Sequence, residues 1–169
     1  MPARELFEAF NFTVSVEGFP EEGFHFASCS ELAFSQERIG FREAGAIVPV
    51  NDPGFVEYDP VTLTRGASRN RMLYDWAIGA ALAGPVFNSA GYVRREVQVI
   101  QRGRTLASNG RSREIIQVYT LHRAFPTKFV AGEWDNNSDA VVIQSMTLAY
   151  DYFTLKVRKH ADQRLATGL

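Results

Sequence analysis

The sequence predicts a mainly β fold carrying one packed α-helix. Three observations predict it. Apolar and polar residues alternate at period two in several short runs, beginning with Phe10, Phe12, Val14 and Val16. Thirteen phenylalanines and thirteen glycines supply strand-favouring rings and tight turns. Ahead of the carboxyl-terminal tail, only the stretch from about Arg69 to Leu82 carries an apolar stripe at helical spacing.

The elements follow in order. Phe10 to Val16 is the opening strand, and Glu17-Gly18-Phe19-Pro20-Glu21-Glu22-Gly23 breaks it with turn residues. A second strand through Phe24 and Phe26 is expected to complete an amino-terminal hairpin. Leu32 to Arg42 continues as a strand, with Leu32 and Phe34 on one face. Ala44 to Val50 is small and apolar, and Asn51-Asp52-Pro53-Gly54 is a strong loop signal, so a surface loop or arm is expected here. Pro60 to Thr64 is a strand with Val61 and Leu63 on one face. Ser68 is placed to cap the helix, whose stripe is Leu73, Trp76, Ala77, Ala80 and Ala81, and Gly84-Pro85 stops it.

Val93 to Arg102 and Glu114 to Arg123 are strand-like runs around the hairpin pair Asn109-Gly110. Ala124-Phe125-Pro126 interrupts the second run, because proline cannot donate to a ladder, and marks a bend or sheet edge. Glu133 to Asp139 is a polar loop. Val141 to Val157 has the pattern of one long strand covered on both sides. Arg158 to Leu169 loses the pattern and is expected to form a helical or mobile tail.

Composition bounds the function. A chain of 169 residues makes one domain, able to bury roughly 68–70 % of its unfolded surface. A formal net charge of -1 gives no global field toward nucleic acid or membrane. The segment Trp76 to Phe87, broken by Gly79, Gly84 and Pro85, is too short to span a bilayer, so no direct membrane anchoring is expected. Cys29 is the single cysteine and can form no internal disulfide, which fits synthesis in a reducing cytosol.

Catalytic patterns are missing from the sequence. His25, His122 and His160 sit in unrelated segments without a paired-ligand spacing, and Cys29 lies in Ser28-Cys29-Ser30 without a nucleophile signature. Asp135, Asn137 and Asp139 have the spacing of a calcium loop's first ligands. Ala140 stands where that loop needs glycine and Met146 where it needs glutamate, so the segment is read as a polar turn. No glycine pattern fits a phosphate loop. The expectation is a protein without catalytic residues, cofactor or metal. A local basic bias runs from Arg94 to Arg113, and Arg102, Arg104, Arg111 and Arg113 form a basic hairpin able to contact a phosphate backbone or a neighbouring subunit.

Five pieces carry a resemblance. They are the strand ending at Val16-Glu17-Gly18; Phe41-Arg42-Glu43-Ala44-Gly45; Val61-Thr62-Leu63-Thr64-Arg65-Gly66 with the Trp76 helix; Ala124-Phe125-Pro126-Thr127-Lys128-Phe129; and Leu148-Ala149-Tyr150-Asp151. In this order, from about residue 8 to 155, they resemble the tail-tube proteins of contractile phage tails and phage-tail-like injection systems. The resemblance implies a two-sheet sandwich or barrel-like tail-tube fold with an extended arm loop. It implies a tail-tube domain over residues 1–155 and a tail over 156–169.

It also implies an architectural function. Subunits would form stacked hexameric rings around a lumen conducting DNA or effector proteins, with sheath and baseplate or hub proteins as further partners. Synthesis would be cytoplasmic, and assembly into a phage tail or injection particle would follow. The arm, from about Glu37 to Asp59, would make the contacts between subunits or rings through Phe41, Arg42, Glu43, Gly45, Asn51 and Asp52. Leu63, Leu73 and Trp76 would form the core beneath it. The alternatives are a tube-to-baseplate adaptor of the same fold and, from another class, a β-barrel nucleic-acid-binding module using the basic hairpin.

Overall fold

A computed structural model describes residues 11–20, 25–83, 94–106 and 113–157, and for residues 83 and 104–106 the backbone alone. In chain order the described elements are β1 (Phe12–Val16), β2 (Ser28–Cys29), β3 (Phe34–Phe41), β4 (Val50–Tyr58), β5 (Val61–Gly66), α1 (Met72–Ala83), β6 (Arg95–Leu106), β7 (Arg113–Val130), β8 (Ile143–Ala149) and β9 (Tyr152–Val157). The fold is mainly β. Seven strands make one bent sheet and β3–β4 make a separate two-stranded one.

The bend lies in β7. Its first part pairs with β6 on one edge and with β9 on the other; its second part pairs with β8, which leads on to β5 and β2. The change of partner falls beside Arg123, whose φ of 56° is left-handed and uncommon for a residue with a side chain. Asp151 ties this corner together. Its carboxylate pairs with Arg94 at 2.9 Å and Arg123 at 3.4 Å, and its N–H donates to the His122 carbonyl at 3.1 Å.

The two halves of the sheet face each other across one core. Register places Val61 opposite Leu148 and Leu63 opposite Met146, and these four side chains are 0–2 % exposed. From the other half come Val14, Val16, Val97 and Leu121, opposed in register between β1, β6 and β7. Helix α1 packs on β7, with Leu73 and Trp76 buried and Tyr74 edge-on to Phe129. Trp76 meets Phe19 edge-on at 5.8 Å, and the Arg95 guanidinium lies 4.9 Å from the Phe19 ring centre.

Several expectations are corrected. Among the described residues there is no amino-terminal hairpin: β1 pairs with β6, and β2 is two residues long and pairs with β5. Phe24 lies outside the described residues. Asn51-Asp52-Pro53-Gly54 is not a loop but part of β4, because a bulge sets Gly54 and Phe55 opposite Glu37 and accommodates the proline. The helix begins at Met72 rather than near Arg69. Asn70 Oδ1 accepts from the Met72 N–H at 2.9 Å, while Ser68 only turns the chain toward Asn70. Ala81 is exposed and leaves the buried stripe.

The run Val141 to Val157 is two strands, split at Tyr150-Asp151, and β9 is mostly exposed rather than covered on both sides. Ala124-Phe125-Pro126 lies at the bend of β7, one of the two readings expected of it, and the strand runs on to Val130. The stop at Gly84-Pro85, the turn at Asn109-Gly110 and the tail from Arg158 lie outside the described residues.

Candidate assembly surface

The arm is a β-ribbon standing off the sandwich. All eight residues of β3 are exposed, and β3 pairs along its length only with β4. Between the strands, Ala46 N–H donates to the Glu43 carbonyl at 3.0 Å and Gly45 takes a φ of 88°, the left-handed geometry that glycine meets without strain. Gly54 serves the bulge: a side chain there would lie 3.0 Å from the Glu37 carbonyl and 3.1 Å from Ile39.

The ribbon is apolar for so exposed an element. Ile47 is 93 % exposed and Phe55 84 %; Val48, Phe34, Ile39, Phe41, Val50 and Val56 are also exposed. The six residues expected to make arm contacts come together on this ribbon. Phe41 faces Val50, Gly40 faces Asn51 and Ile39 faces Asp52, with Arg42, Glu43 and Gly45 in the connection.

The ribbon's base is aromatic. Phe34 and Tyr58 pack at 5.7 Å, Tyr58 and Phe153 at 5.4 Å, and Tyr58 and Tyr150 at 6.0 Å between ring centres. The Asp59 N–H donates to the Ala33 carbonyl at 3.0 Å and closes the ribbon's root. Tyr150 is buried, and burial first, then the Asp59 carboxylate, Tyr58 and Cys29, push its phenol up to about 12. Leu63, Leu73 and Trp76 are buried as expected, but in the sandwich between β5, β8 and α1. The support at the arm's base is the Phe34–Tyr58–Tyr150–Phe153 group, which spacing along the chain could not reveal.

Strand edges add to the surface. Among the described residues β1, β2, β9 and the second part of β7 pair on one side only, and β3 and β4 pair only with each other. Such edges offer unmet N–H and C=O groups to another chain.

The basic hairpin looks different in three dimensions. Arg102 donates to Thr13 Oγ1 at 3.4 Å and to the Arg113 carbonyl at 3.3 Å, and Arg113 donates to Asn11 Oδ1. Both help hold the opening strand to the sheet. Arg111 lies outside the described residues, as does the Arg104 side chain.

The structure also assembles a series that the sequence hid. His122 Nδ1 lies 3.1 Å from Glu96 Oε1, its Nε2 lies 2.9 Å from Thr154 Oγ1, and its ring stacks on Tyr152 at 4.5 Å. The order acid, imidazole, hydroxyl is that of a nucleophilic relay. Here it spans β6, β7 and β9 on a sheet face, and it joins three strands. Only pairing register brings these residues together, so no linear motif could have shown it. A cavity of about 250 Å³ lies elsewhere, between the sheet halves, lined by Phe12, Cys29, Ser30, Leu32, Val99, Gln101 and Tyr119. Burial raises the Cys29 thiol to about 11, far from a reactive thiolate at neutral pH. Asp135, the first of the calcium-like residues, accepts from the Asn137 N–H at 2.9 Å in a tight turn.

Comparison with known proteins agrees with this geometry. Among solved structures, a chain of the PVC extracellular contractile injection system, in its extended sheath–tube complex, superposes with a TM-score of 0.73 at 22 % identity, covering 92 % of this chain and 95 % of that one. A chain of the anti-feeding prophage tube-terminating cap gives 0.72 at 19 %, covering 94 % and 95 %. Hcp1 from Flavobacterium johnsoniae gives 0.54 at 13 %, covering 88 % and 97 %. These likenesses show a shared fold. Comparison with curated protein sequences gave no match. The family model of the T4-like virus tail tube protein gp19 matches residues 8–154, so the chain belongs to the tail tube protein family.

Proposed function

We propose that this protein is the repeating structural subunit of the inner tube of a contractile injection system or phage tail, and that its work is assembly rather than catalysis. The observation that carries the reading is the arm, a ribbon exposed along all of β3 that presents Ile47, Val48 and Phe55 to solvent. Exposed apolar surface of this kind marks a contact surface. Subunits join side by side into a hexameric ring through their unpaired strand edges, and the arm reaches a neighbour in the ring or in the next one. Ring-to-ring contacts join unlike surfaces, so they propagate into a filament instead of closing. A sheath surrounds the tube, a baseplate nucleates it, and DNA or effector proteins pass through its lumen.

The test is negative-stain electron microscopy of the purified protein over a concentration series. Rings and long stacked tubes are expected. Tubes that form only when baseplate proteins are added would point to the tube-to-baseplate adaptor role. Monomers under both conditions would overturn the tube reading.

A further inference from the structure

Resting on the tube reading, we propose that the outer face of the β2–β5–β8 half of the sheet is the wall of the lumen, a wetted hydroxyl surface carrying almost no charge. The face is defined by register. Val61, Leu63, Met146 and Leu148 point into the core, so Thr62, Thr64, Ser145 and Thr147 point away from it. Ser28 pairs with Thr64, and their hydroxyls are hydrogen-bonded. Thr62 and Thr147 hydroxyls meet at 3.1 Å, and the Ser30 hydroxyl accepts from the Thr62 N–H at 2.9 Å. On the adjoining strand Lys128 stands opposite Thr147 and supplies the one charge among these positions.

Each hydroxyl has one donor and two acceptor sites, so the cross-strand pairs leave hydrogen-bonding capacity that water fills and a dry contact would strand. Two apolar side chains share the face, Ile143 at the start of β8 and Val130 opposite Ser145, and both lie at its end. The most exposed apolar side chains stand elsewhere on the subunit: Ile47 and Phe55 on the arm, and Trp134, 72 % exposed, beyond β7. Directionality fits closure around this face. The second part of β7, then β8, β5 and β2, run alternately up and down. A copy added head to tail at the β2 edge therefore presents its β7 in antiparallel order, and the hydroxyl faces of successive copies stay on one side. Cargo sliding along such a wall meets hydrogen bonds exchangeable with water and little fixed charge to hold it.

The test uses tubes of a Cys29→Ser protein, which has no thiol, with Ser145→Cys added; Thr147→Cys is the second variant. A small maleimide and a maleimide carried on a bead wider than the tube are applied to tubes and to dissociated subunits. Both reagents are expected to label subunits, and only the small one to label tubes. Labelling of tubes by the bead-borne reagent would place the face outside and overturn the proposal. Protection of tubes from both reagents would place it in a subunit contact, with the same consequence. As an independent readout, Ser145→Asp is expected to leave tube assembly intact, because a carboxylate is tolerated in water and not in a dry contact; folded subunits of this variant that fail to assemble would count against the wall. If the Cys29→Ser parent itself forms no tubes under the microscope, the tube reading fails first and this inference falls with it.

Discussion

In the sandwich, Val61, Leu121 and Leu148 are 0 % exposed; in the arm, Ile47 and Phe55 are 93 % and 84 % exposed. Both regions are antiparallel strands of apolar and polar residues. They differ in what lies against them. The sandwich closes on itself because each half of β7 carries a sheet layer, and each layer covers the other. Beyond its aromatic root, the arm has a partner strand on one edge and stays exposed among the described residues. Buried apolar area contributes roughly 25 cal/mol per Å², so the sandwich gains its free energy when the subunit folds. The arm gains the same kind of free energy only when another surface covers it. On the proposed reading of the arm, folding and assembly are thereby separated in one chain.

That separation can be broken or sharpened by substitution. Leu63→Ala should have the largest effect on the subunit, a loss of about 2–5 kcal/mol in chemical denaturation, because the side chain is fully packed. A loss below about 1 kcal/mol would mean that the two sheet halves are not sealed together as described. Asn70→Ala should cost about 1 kcal/mol by removing the cap of α1, measured the same way; Ser68→Ala should cost less, and a reversed order would restore the longer helix.

Tyr150 offers a test by pH at the arm's root. Its phenol is raised from an ordinary value near 10 to about 12, so the fold favours the protonated form. That contribution is fully present below pH 10 and is lost as pH climbs toward about 12. Thermal melts of the wild type should therefore fall relative to Tyr150→Phe across this window, with no growing difference below it. Parallel curves through the whole range would show that the phenol is not buried as described.

How much of this was legible in the sequence depends on the range of the forces involved. β5 and the buried part of α1 were readable, since Val61, Leu63, Leu73 and Trp76 announce their faces by local periodicity. β2 was not. Phe24 and Phe26 promised a hairpin, yet among the described residues the strand is Ser28–Cys29, and it pairs with a strand more than thirty residues away in sequence, as the contact of Ser28 with Thr64 shows. The break between β8 and β9 was hidden because Ala149-Tyr150-Asp151-Tyr152 contains neither glycine nor proline, and a lone aspartate between tyrosines is a weak turn signal; Arg94, His122 and Arg123 impose it from elsewhere in the chain.

The arm was legible as an exposed excursion but not as a ribbon. Pro53 and Gly54 signal a loop by themselves, and only the bulge opposite Glu37 makes them compatible with a strand. The hydroxyl face was spread over Ser28, Thr62, Thr64, Ser145 and Thr147, and register alone gathers it. Local propensity is enough to find strands here. It does not say which strands meet.

The smallest effect on the subunit is expected in the arm, where the largest effect on assembly is expected. The most direct measurement pairs a thermal melt with negative-stain microscopy for Ile47→Ser and Phe55→Ser. The account predicts subunit stability within about 0.5 kcal/mol of wild type together with loss of tubes. Tubes of normal length from both variants, or a collapse of subunit stability in either, would contradict the claim that the arm serves assembly and the sandwich serves the fold.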